Sequence, residues 1–261
     1  MKQEKNSLKI ALIQSSLFWE KPELNRDMFG MKIDEIDDEI DLIVLPEMFT
    51  TGFTMHPENI KNKEGSLTLD WMKKIATKKK IAIVGSIVFK DNGANYNRLF
   101  FVRPDGEYVT YDKRHTFTLA GENEKYKAGK ERLIVNYKGF AICPLVCYDL
   151  RFPVWSRNTD NFDVLLYVAN WPTPRINAWD ALLKARAIEN MVYCIGVNRI
   201  GVDDVGHNYP GHSSLYNPLG QLVNLSEKEE TIIVDIFKNE VDEVRNKLRF
   251  LNDQDRFNLL N

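Results

Sequence analysis

The chain has 261 residues, of which 44% are hydrophobic and 28% are charged, a composition typical of a soluble globular protein and not of a disordered one. Its 35 basic and 37 acidic side chains give a net charge of -2, so nucleic acid is not expected as a partner. Three cysteines are too few for a disulfide framework, and the longest uncharged stretches fall short of the roughly 18 apolar residues of a membrane span, so we expect a cytoplasmic protein that does not contact membranes.

Short apolar runs and apolar residues at helical spacing alternate along the first half of the chain. Apolar runs bounded by polar residues predict buried strands, and apolar residues at intervals of three or four predict helices. A Pro-Asp-Gly sequence between two strands favours a tight hairpin. The predictions for this half are strands at 8–14, 42–45 and 81–89, helices at 24–40 and 67–79 with Ser66 as the N-cap of the second, and a hairpin joining 99–102 to 107–111.

The second half repeats this alternation and adds two hairpins. Its predicted elements are a hairpin of 133–135 and 140–146, a short helix at 151–158, a strand at 164–168, a helix at 177–190, a strand at 191–198, a hairpin of 213–216 and 221–225, a strand at 231–237, and a helix at 241–247 followed by an extended tail.

Helices that alternate with buried strands indicate an α/β protein. Because the two halves are similar, we expect two stacked mixed sheets with helices on both outer faces, a four-layer α-β-β-α sandwich. No Gly/Ser-rich linker, low-complexity tract or strong repeat marks a boundary. Residues 1–261 are therefore predicted to form a single domain, with a core at about 8–237 and a C-terminal extension at 238–261.

Two charged residues stand at positions where the first sheet could present them. Glu47 follows the strand at 42–45, and ligands of open α/β sheets bind at the carboxyl ends of strands. Lys113 stands in Tyr-Asp-Lys-Arg-His at the end of the first hairpin. The ordinary alternatives are a surface glutamate after a proline turn and a solvated lysine.

Cys147 has the sequence context of a reactive thiol. A buried strand runs directly into it, and a predicted turn follows, so backbone N–H groups there would favour a thiolate and could hold an oxyanion. Cys143 and Cys194 lie inside apolar strands and are expected to be inert core residues. The Cys-x-x-x-Cys spacing of 143 and 147 is one residue too long for a redox pair of the Cys-x-x-Cys type.

Taken in order, these motifs resemble those of the nitrilase superfamily, the carbon–nitrogen hydrolases, over residues 8–237. The matching segments are Leu-Pro-Glu-Met at 45–48, Tyr-Asp-Lys-Arg-His at 111–115 and Val-Cys-Tyr-Asp-Leu-Arg-Phe-Pro at 146–153. The resemblance implies catalytic roles for Glu47, Lys113 and Cys147, the α-β-β-α fold and a homodimer. No metal or cofactor is expected, and the four histidines show no spacing typical of metal ligands.

The superfamily also has a second glutamate after the lysine, and Glu122 and Glu124 are both candidates. Glu122 fits better by its distance to Gly129. The implied mechanism is attack of the Cys147 thiolate on an amide carbonyl, with Glu47 as general base. The Lys113 ammonium and the Tyr148 N–H would stabilise the oxyanion, and a thioester would then be hydrolysed.

A cysteine–histidine hydrolase is the mechanistic alternative, in which His115 or His212 would serve as the base instead of Glu47. A nitrile hydrolase and an N-carbamoyl amidase would share the same three catalytic residues. A catalytically silent scaffold that binds partners is the non-enzymatic alternative.

The loops at 121–126 and 169–175 resemble those of the omega-amidase branch, which hydrolyses the terminal amide of 2-oxoglutaramate or 2-oxosuccinamate. A small-molecule substrate of this kind carries a carboxylate, and Arg175 is our candidate to bind it because arginine suits bidentate carboxylate contacts. Phe117, Tyr148 and Trp171 are candidate pocket residues, while Phe53 is as well explained by packing.

Overall fold

The computed structural model describes residues 6–258, and all structural statements below concern these residues; the final three residues of the expected C-terminal extension lie outside them. The elements in chain order are β1 (Ser7–Gln14), α1 (Pro22–Asp34), β2 (Leu42–Val44), α2 (Glu64–Lys79), β3 (Ala82–Asp91), β4 (Ala94–Val102), β5 (Tyr108–Asp112), α3 (Glu122–Lys125), β6 (Val135–Tyr137), β7 (Phe140–Val146), β8 (Val164–Ala169), α4 (Ile176–Asn190), β9 (Tyr193–Asn198), β10 (Ile200–Val202), β11 (Asn208–Pro210), β12 (Ser213–Tyr216), β13 (Leu222–Ser226), β14 (Glu230–Phe237) and α5 (Lys238–Leu248).

Two six-stranded mixed sheets share the same pattern of strand directions. The first has the order β14-β1-β2-β3-β4-β5 with β1, β2 and β3 parallel, and the second has the order β13-β12-β9-β8-β7-β6 with β7, β8 and β9 parallel. Strand β14 returns from the second half to pair antiparallel with β1. The last strand of the first sheet therefore follows every strand of the second sheet along the chain.

The hydrophobic core lies between the two sheets and beneath the outer helices. Leu12 and Val44 of the first sheet belong to one apolar cluster with Leu145 and Tyr167 of the second. On the outer face of the first sheet, buried residues of α1 and α2 such as Phe29 pack against the strands. Each fully buried side chain of this size contributes about 1.5–3 kcal/mol. The predicted α/β class with two stacked mixed sheets is confirmed.

The first two helices differ from their predicted bounds. Helix α1 ends at Asp34, with Glu35 as its C-cap. Ile36 and Ile40 continue the apolar spacing of the helix, but they pack on the core from the loop that follows it. Helix α2 begins at Glu64, so the prediction of Ser66 as its N-cap is wrong. Apolar spacing indicates which face is buried but does not locate the ends of a helix.

The predicted helix at 151–158 is also wrong. A 3-10 turn spans Cys147–Arg151, and Phe152 is already extended because Pro153 disfavours helical backbone in the residue before it. The two-stranded ribbon of β10 and β11 was not predicted from the sequence, and neither was the four-residue helix α3.

Candidate active site

Cys147 begins the turn that follows β7. Its φ of +45° is a left-handed backbone conformation, which is costly for a residue with a side chain and is concentrated at functional sites. The Arg186 guanidinium fixes the turn by donating a 2.6 Å hydrogen bond to the Leu150 carbonyl. The Cys147 Sγ lies 3.9 Å from the Asn170 carbonyl oxygen. The thiol is thus held at the boundary between the core and the space beyond the strand ends.

Glu47 follows β2 and is fully buried. Its Oε1 accepts a 2.7 Å hydrogen bond from Asn97 Nδ2, and its Oε2 accepts a 2.9 Å bond from the Asn170 backbone N–H. The Asn170 side chain also donates to the Glu47 carbonyl oxygen over 2.6 Å. Because Asn170 follows β8 of the second sheet, these bonds connect the two sheets at the site.

Lys113 follows β5, and its side chain is 1% exposed. Its Nζ donates to Glu47 Oε1 over 2.9 Å and to both carboxylate oxygens of Glu122 over 2.9 and 3.1 Å. Burial lowers the pKa of Lys113, but the nearby Glu122 and Glu47 carboxylates raise it by more, so the net direction is upward. The two carboxylates therefore favour the charged ammonium form of Lys113.

Glu122, and not Glu124, meets the lysine. Glu122 lies in α3 and is fully buried, and its Oε2 also accepts a 2.6 Å hydrogen bond from the Phe117 N–H, whereas Glu124 is exposed. Burial raises the pKa of Glu122, while the Lys113 charge acts in the opposite direction. Asn97 Nδ2 lies 3.2 Å from Glu122 Oε1 and so contacts both glutamates.

The pKa of the Cys147 thiol is raised well above its ordinary value. Burial is the largest cause, and the Glu47 carboxylate adds to it, while the Lys113 ammonium only partly offsets both. The sequence predicted a lowered thiol pKa, because backbone N–H groups at the start of a helix favour the thiolate. The turn is a short 3-10 helix that buries the thiol next to the Glu47 carboxylate, and both burial and that negative charge disfavour the thiolate.

A cavity of about 310 Å³ is lined by Cys147 and Lys113. The four residues predicted to bind substrate all line the same cavity: Phe117, Tyr148, Trp171 and Arg175.

These wall residues contact one another. The Phe117 ring packs edge-on against Tyr148 with 4.8 Å between ring centroids, and the Arg175 guanidinium lies 5.2 Å from the Phe117 ring. The Trp171 Nε1 donates a 2.8 Å hydrogen bond to the Arg175 carbonyl oxygen. The walls are therefore largely aromatic, with guanidinium groups at their edges.

A profile of the carbon–nitrogen hydrolase family matches residues 9–246. The chain belongs to the carbon–nitrogen hydrolase family. The omega-amidase YafV of Yersinia enterocolitica is 42% identical over 98% of this chain and 100% of that protein. The 2-oxoglutaramate amidase of Bacillus subtilis is 32% identical over 94% of this chain and 96% of its own. The crystal structure of XC1258 from Xanthomonas campestris, a CN-hydrolase superfamily protein, has a TM-score of 0.93 and 39% identity, and covers 97% of this chain and 99% of that one.

Sequence reasoning missed several residues of this carbon–nitrogen hydrolase site. Asn170 directly follows a buried strand, so the rule that singled out Glu47 could have found it. Asn97 stands inside β4, and nothing in its surrounding sequence distinguishes it. Arg151 stands in a recognised motif, but its guanidinium, 5.0 Å from the Trp171 ring, was not expected to line the cavity. The ribbon of β10 and β11 with its loop contributes Asp203, Val205, His207 and Tyr209 to the walls.

Neither histidine proposed as an alternative base reaches the cavity of the carbon–nitrogen hydrolase within residues 6–258. His115 Nδ1 donates to Asp149 Oδ1 over 2.8 Å. His212 Nδ1 lies 3.0 Å from an Asp180 carboxylate oxygen and away from Cys147. Of the three candidate bases, only the Glu47 carboxylate interacts with the Cys147 thiol.

No group of three or more His, Cys, Asp or Glu side chains among residues 6–258 is arranged to hold a metal ion. In the same part of the chain, no helix combines the length and apolarity that a membrane crossing requires.

Proposed function

We propose that this carbon–nitrogen hydrolase is an omega-amidase, which cleaves the terminal amide of 2-oxoglutaramate, 2-oxosuccinamate or a similar ω-amide to a 2-oxo-dicarboxylate and ammonia. The observation that carries the proposal is the Lys113 ammonium, held 2.9 Å from both Glu47 and Glu122 in the cavity that Cys147 lines. The relatives named as omega-amidase and 2-oxoglutaramate amidase, aligned over nearly the whole chain, support this substrate class.

Acylation would begin with attack of Cys147 Sγ on the amide carbonyl carbon. Because the thiol pKa is raised, the thiol is protonated at neutral pH, and its proton would pass to Glu47 as the S–C bond forms. The oxyanion would be stabilised by the Lys113 ammonium and the Tyr148 N–H; one such donor is typically worth about 3–4 kcal/mol. Glu47 would return the proton to the leaving nitrogen, the C–N bond would break, and ammonia would leave.

Deacylation would use the same groups in reverse order. Water would attack the thioester carbonyl while Glu47 accepts one of its protons, and the proton would then return to the Cys147 sulfur as the C–S bond breaks. Glu122 would keep Lys113 in place through both steps, because it binds the ammonium through both carboxylate oxygens.

Arg175 and Arg151 would receive the substrate carboxylate. Both line the cavity, and each guanidinium lies over an aromatic ring, at 5.2 and 5.0 Å respectively. A guanidinium binds a carboxylate bidentately, and a largely apolar pocket strengthens the contact. We expect Arg175→Ala to raise KM for an acidic amide by about 10- to 100-fold, as for loss of a charged hydrogen bond, and to leave KM for a neutral amide such as butyramide nearly unchanged. An equal effect on both amides would exclude Arg175 as the carboxylate ligand.

The catalytic assignment is tested by ammonia release from 2-oxoglutaramate with Cys147→Ala. We expect a loss of at least about 10³-fold in kcat, as for removal of a covalent nucleophile. Cys143→Ala is the matched control, because Cys143 is a buried thiol inside β7, and its activity should stay within about 3-fold of wild type. Full activity of Cys147→Ala would contradict the assignment.

We also propose that the chain forms a homodimer and works as a single domain over residues 1–261. Exposed apolar side chains on the hairpin of β12 and β13, namely Leu219, Leu222 and Val223, support an interface on the second sheet. Sedimentation equilibrium should give a mass near twice 30.3 kDa, and a monomer at micromolar concentration would contradict the dimer.

We place the protein in the cytoplasm. All three cysteines are free and buried, and free thiols without disulfides are typical of a reducing compartment. Fractionation of cells should recover the protein with the cytoplasmic markers, and recovery with secreted proteins would contradict this location.

A further inference from the structure

We infer that Asp149 is a positioning residue that fixes the Cys147 turn against the Lys113 segment, an inference that rests on the proposed function. Asp149 is fully buried and does not line the cavity, so it touches neither substrate nor the reacting sulfur. Its effect on the reaction passes through the two segments that it connects.

The Asp149 carboxylate accepts four hydrogen bonds from three places in the chain. Oδ1 accepts from the His115 backbone N–H over 3.0 Å and from His115 Nδ1 over 2.8 Å. Oδ2 accepts from the Tyr111 hydroxyl over 2.7 Å and from the Val146 N–H over 3.0 Å. Four donors on two oxygens fill the accepting capacity that an ionised carboxylate offers with good geometry.

The donors flank the groups proposed to react. Tyr111 and His115 stand two residues before and two residues after Lys113, and Val146 directly precedes Cys147. The lysine follows β5 of the first sheet and the cysteine follows β7 of the second, so one buried carboxylate spans the junction between the sheets. A displacement of about 1 Å between groups that react together can cost 100-fold in rate.

Aromatic side chains enclose this junction. His115 stacks on the Phe152 ring with 3.7 Å between centroids and planes 7° apart, and Trp155 Nε1 donates to the Tyr111 hydroxyl over 3.0 Å. Burial, followed by the Asp149 charge, raises the pKa of Tyr111. The hydroxyl therefore remains protonated and donates to Asp149 over the working range of pH.

Asparagine cannot replace this carboxylate. Its amide has one oxygen, and its NH₂ group would face either the two His115 donors or the Tyr111 and Val146 donors. We therefore expect Asp149→Asn to lower kcat for ammonia release by about 100-fold. We expect KM to stay within about 3-fold, because the arginines proposed to hold the substrate lie on the cavity walls and do not contact Asp149. Tyr111→Phe removes one hydrogen-bond donor but keeps the Asp149 carboxylate, so we expect it to lower kcat by about 10-fold.

The experiment compares Asp149→Asn, Tyr111→Phe and Asp163→Asn. Asp163 is a matched control away from the site, since it is 2% exposed and accepts from the Ala141 N–H over 2.9 Å and from Arg245 Nη1 over 3.2 Å. Asp163→Asn should lower the melting temperature and keep kcat. The inference would be overturned if folded Asp149→Asn had a lower melting temperature but an unchanged kcat. It would also be overturned if kcat fell equally in Asp149→Asn and Asp163→Asn.

A second readout does not depend on the natural substrate. Release of p-nitrophenolate from p-nitrophenyl acetate reports S-acylation of Cys147, in which the S–C bond forms, the ester C–O bond breaks, and the thiol proton passes to Glu47. A wild type that acylates but releases no ammonia from any ω-amide would contradict the proposed function, while the acylation rates would still test Asp149. If Asp149→Asn does not fold, an unchanged acylation rate in Tyr111→Phe overturns the inference, and a roughly 10-fold lower rate supports it.

Discussion

At the level of single residues, the site contains one ammonium and two carboxylates in mutual contact, so Lys113, Glu47 and Glu122 together carry an excess negative charge when both glutamates are ionised. Burial of the neighbouring thiol and the Glu47 charge both oppose its ionisation. The proton of Cys147 is therefore better removed during attack on the substrate than before it. Glu47 is the group that we propose accepts it.

The raised thiol pKa makes a prediction about alkylation. Iodoacetamide reacts with the thiolate, and an ordinary thiol is half ionised at about pH 8.5. Because the folded-state pKa of Cys147 is higher, its thiolate fraction at pH 8 is below that of a free thiol, and the rate should still be rising at pH 9.5. Mass spectrometry of the alkylated protein across pH 6–10 measures this. A plateau below pH 8 would contradict the upward shift.

Glu122 and Glu124 offer a matched pair of substitutions. Glu122→Gln removes a charged hydrogen-bond partner of the buried Lys113 and is expected to lower kcat by about 10- to 100-fold, the range of about 1.5–3 kcal/mol for such a bond. Glu124→Gln changes an exposed side chain and should leave kcat within about 2-fold of wild type. Equal effects of the two substitutions in a steady-state ammonia assay would remove Glu122 from the site.

The sequence predicts some site residues and not others for a physical reason. Glu47, Lys113 and Cys147 each stand in a local motif at a strand end, so a short stretch of sequence suffices to find them. Asn97 contacts Glu122 and Glu47, 25 and 50 residues away, and no local pattern records such contacts. The same holds for the contacts of Asp149 with His115 and Tyr111, which are 34 and 38 residues away.

At the level of elements, the strands are better predicted than the helix ends. A buried strand appears as a continuous apolar run, so β1, β7, β8 and β14 lie within about two residues of their predicted bounds. Helix ends depend on capping and on neighbouring loops. Ile36 and Ile40 keep the helical spacing but pack on the core from the loop that follows α1, which is why the predicted 24–40 helix is too long.

The contact between α4 and β9 makes a prediction at this level. A Cβ at Gly196 would lie 2.5 Å from the Trp179 ring and 2.6 Å from Leu183, so Gly196→Ala forces the helix away from the sheet. We expect a loss of about 1–3 kcal/mol in the free energy of unfolding. At Gly30, within α1, a Cβ would lie 4.0 Å from the Trp71 side chain, so Gly30→Ala should instead raise the free energy of unfolding by up to about 1 kcal/mol. Urea unfolding of both variants measures the difference, and a stabilised Gly196→Ala would contradict the tight packing.

At the level of the whole molecule, the last strand, β14, belongs to the same sheet as the first strand, β1. Strand β14 covers one edge of β1, and its Ile232, Val234 and Ile236 are buried in the core shared by both sheets. An open edge on β1 would expose unpaired backbone groups beside an apolar strand, a combination that promotes aggregation. The first sheet therefore depends on the last strand.

Truncation tests this dependence. Removal of residues 230–261 takes away β14 and α5, and we expect the shortened protein to be insoluble or to lack a cooperative thermal transition. Removal of residues 254–261 only is the control. The melting temperature of this variant should stay within about 3 °C of wild type, because all strands and helices described between residues 6 and 258 remain. A soluble, cooperatively unfolding protein that ends at Glu229 would show that β14 is dispensable.

The division of the site between two layers has a practical consequence. Glu47 and Lys113 are carried by one sheet and Cys147 by the other, so a slip of one layer along the other by a single residue, about 3.3 Å, would separate the thiol from its base while every strand kept its ladder of hydrogen bonds. Mild denaturant or pressure should then silence ammonia release before circular dichroism changes. The rate of ammonia release would then report how well the two sheets are aligned. Substitutions at the contact between the sheets could be ranked by their effect on this rate.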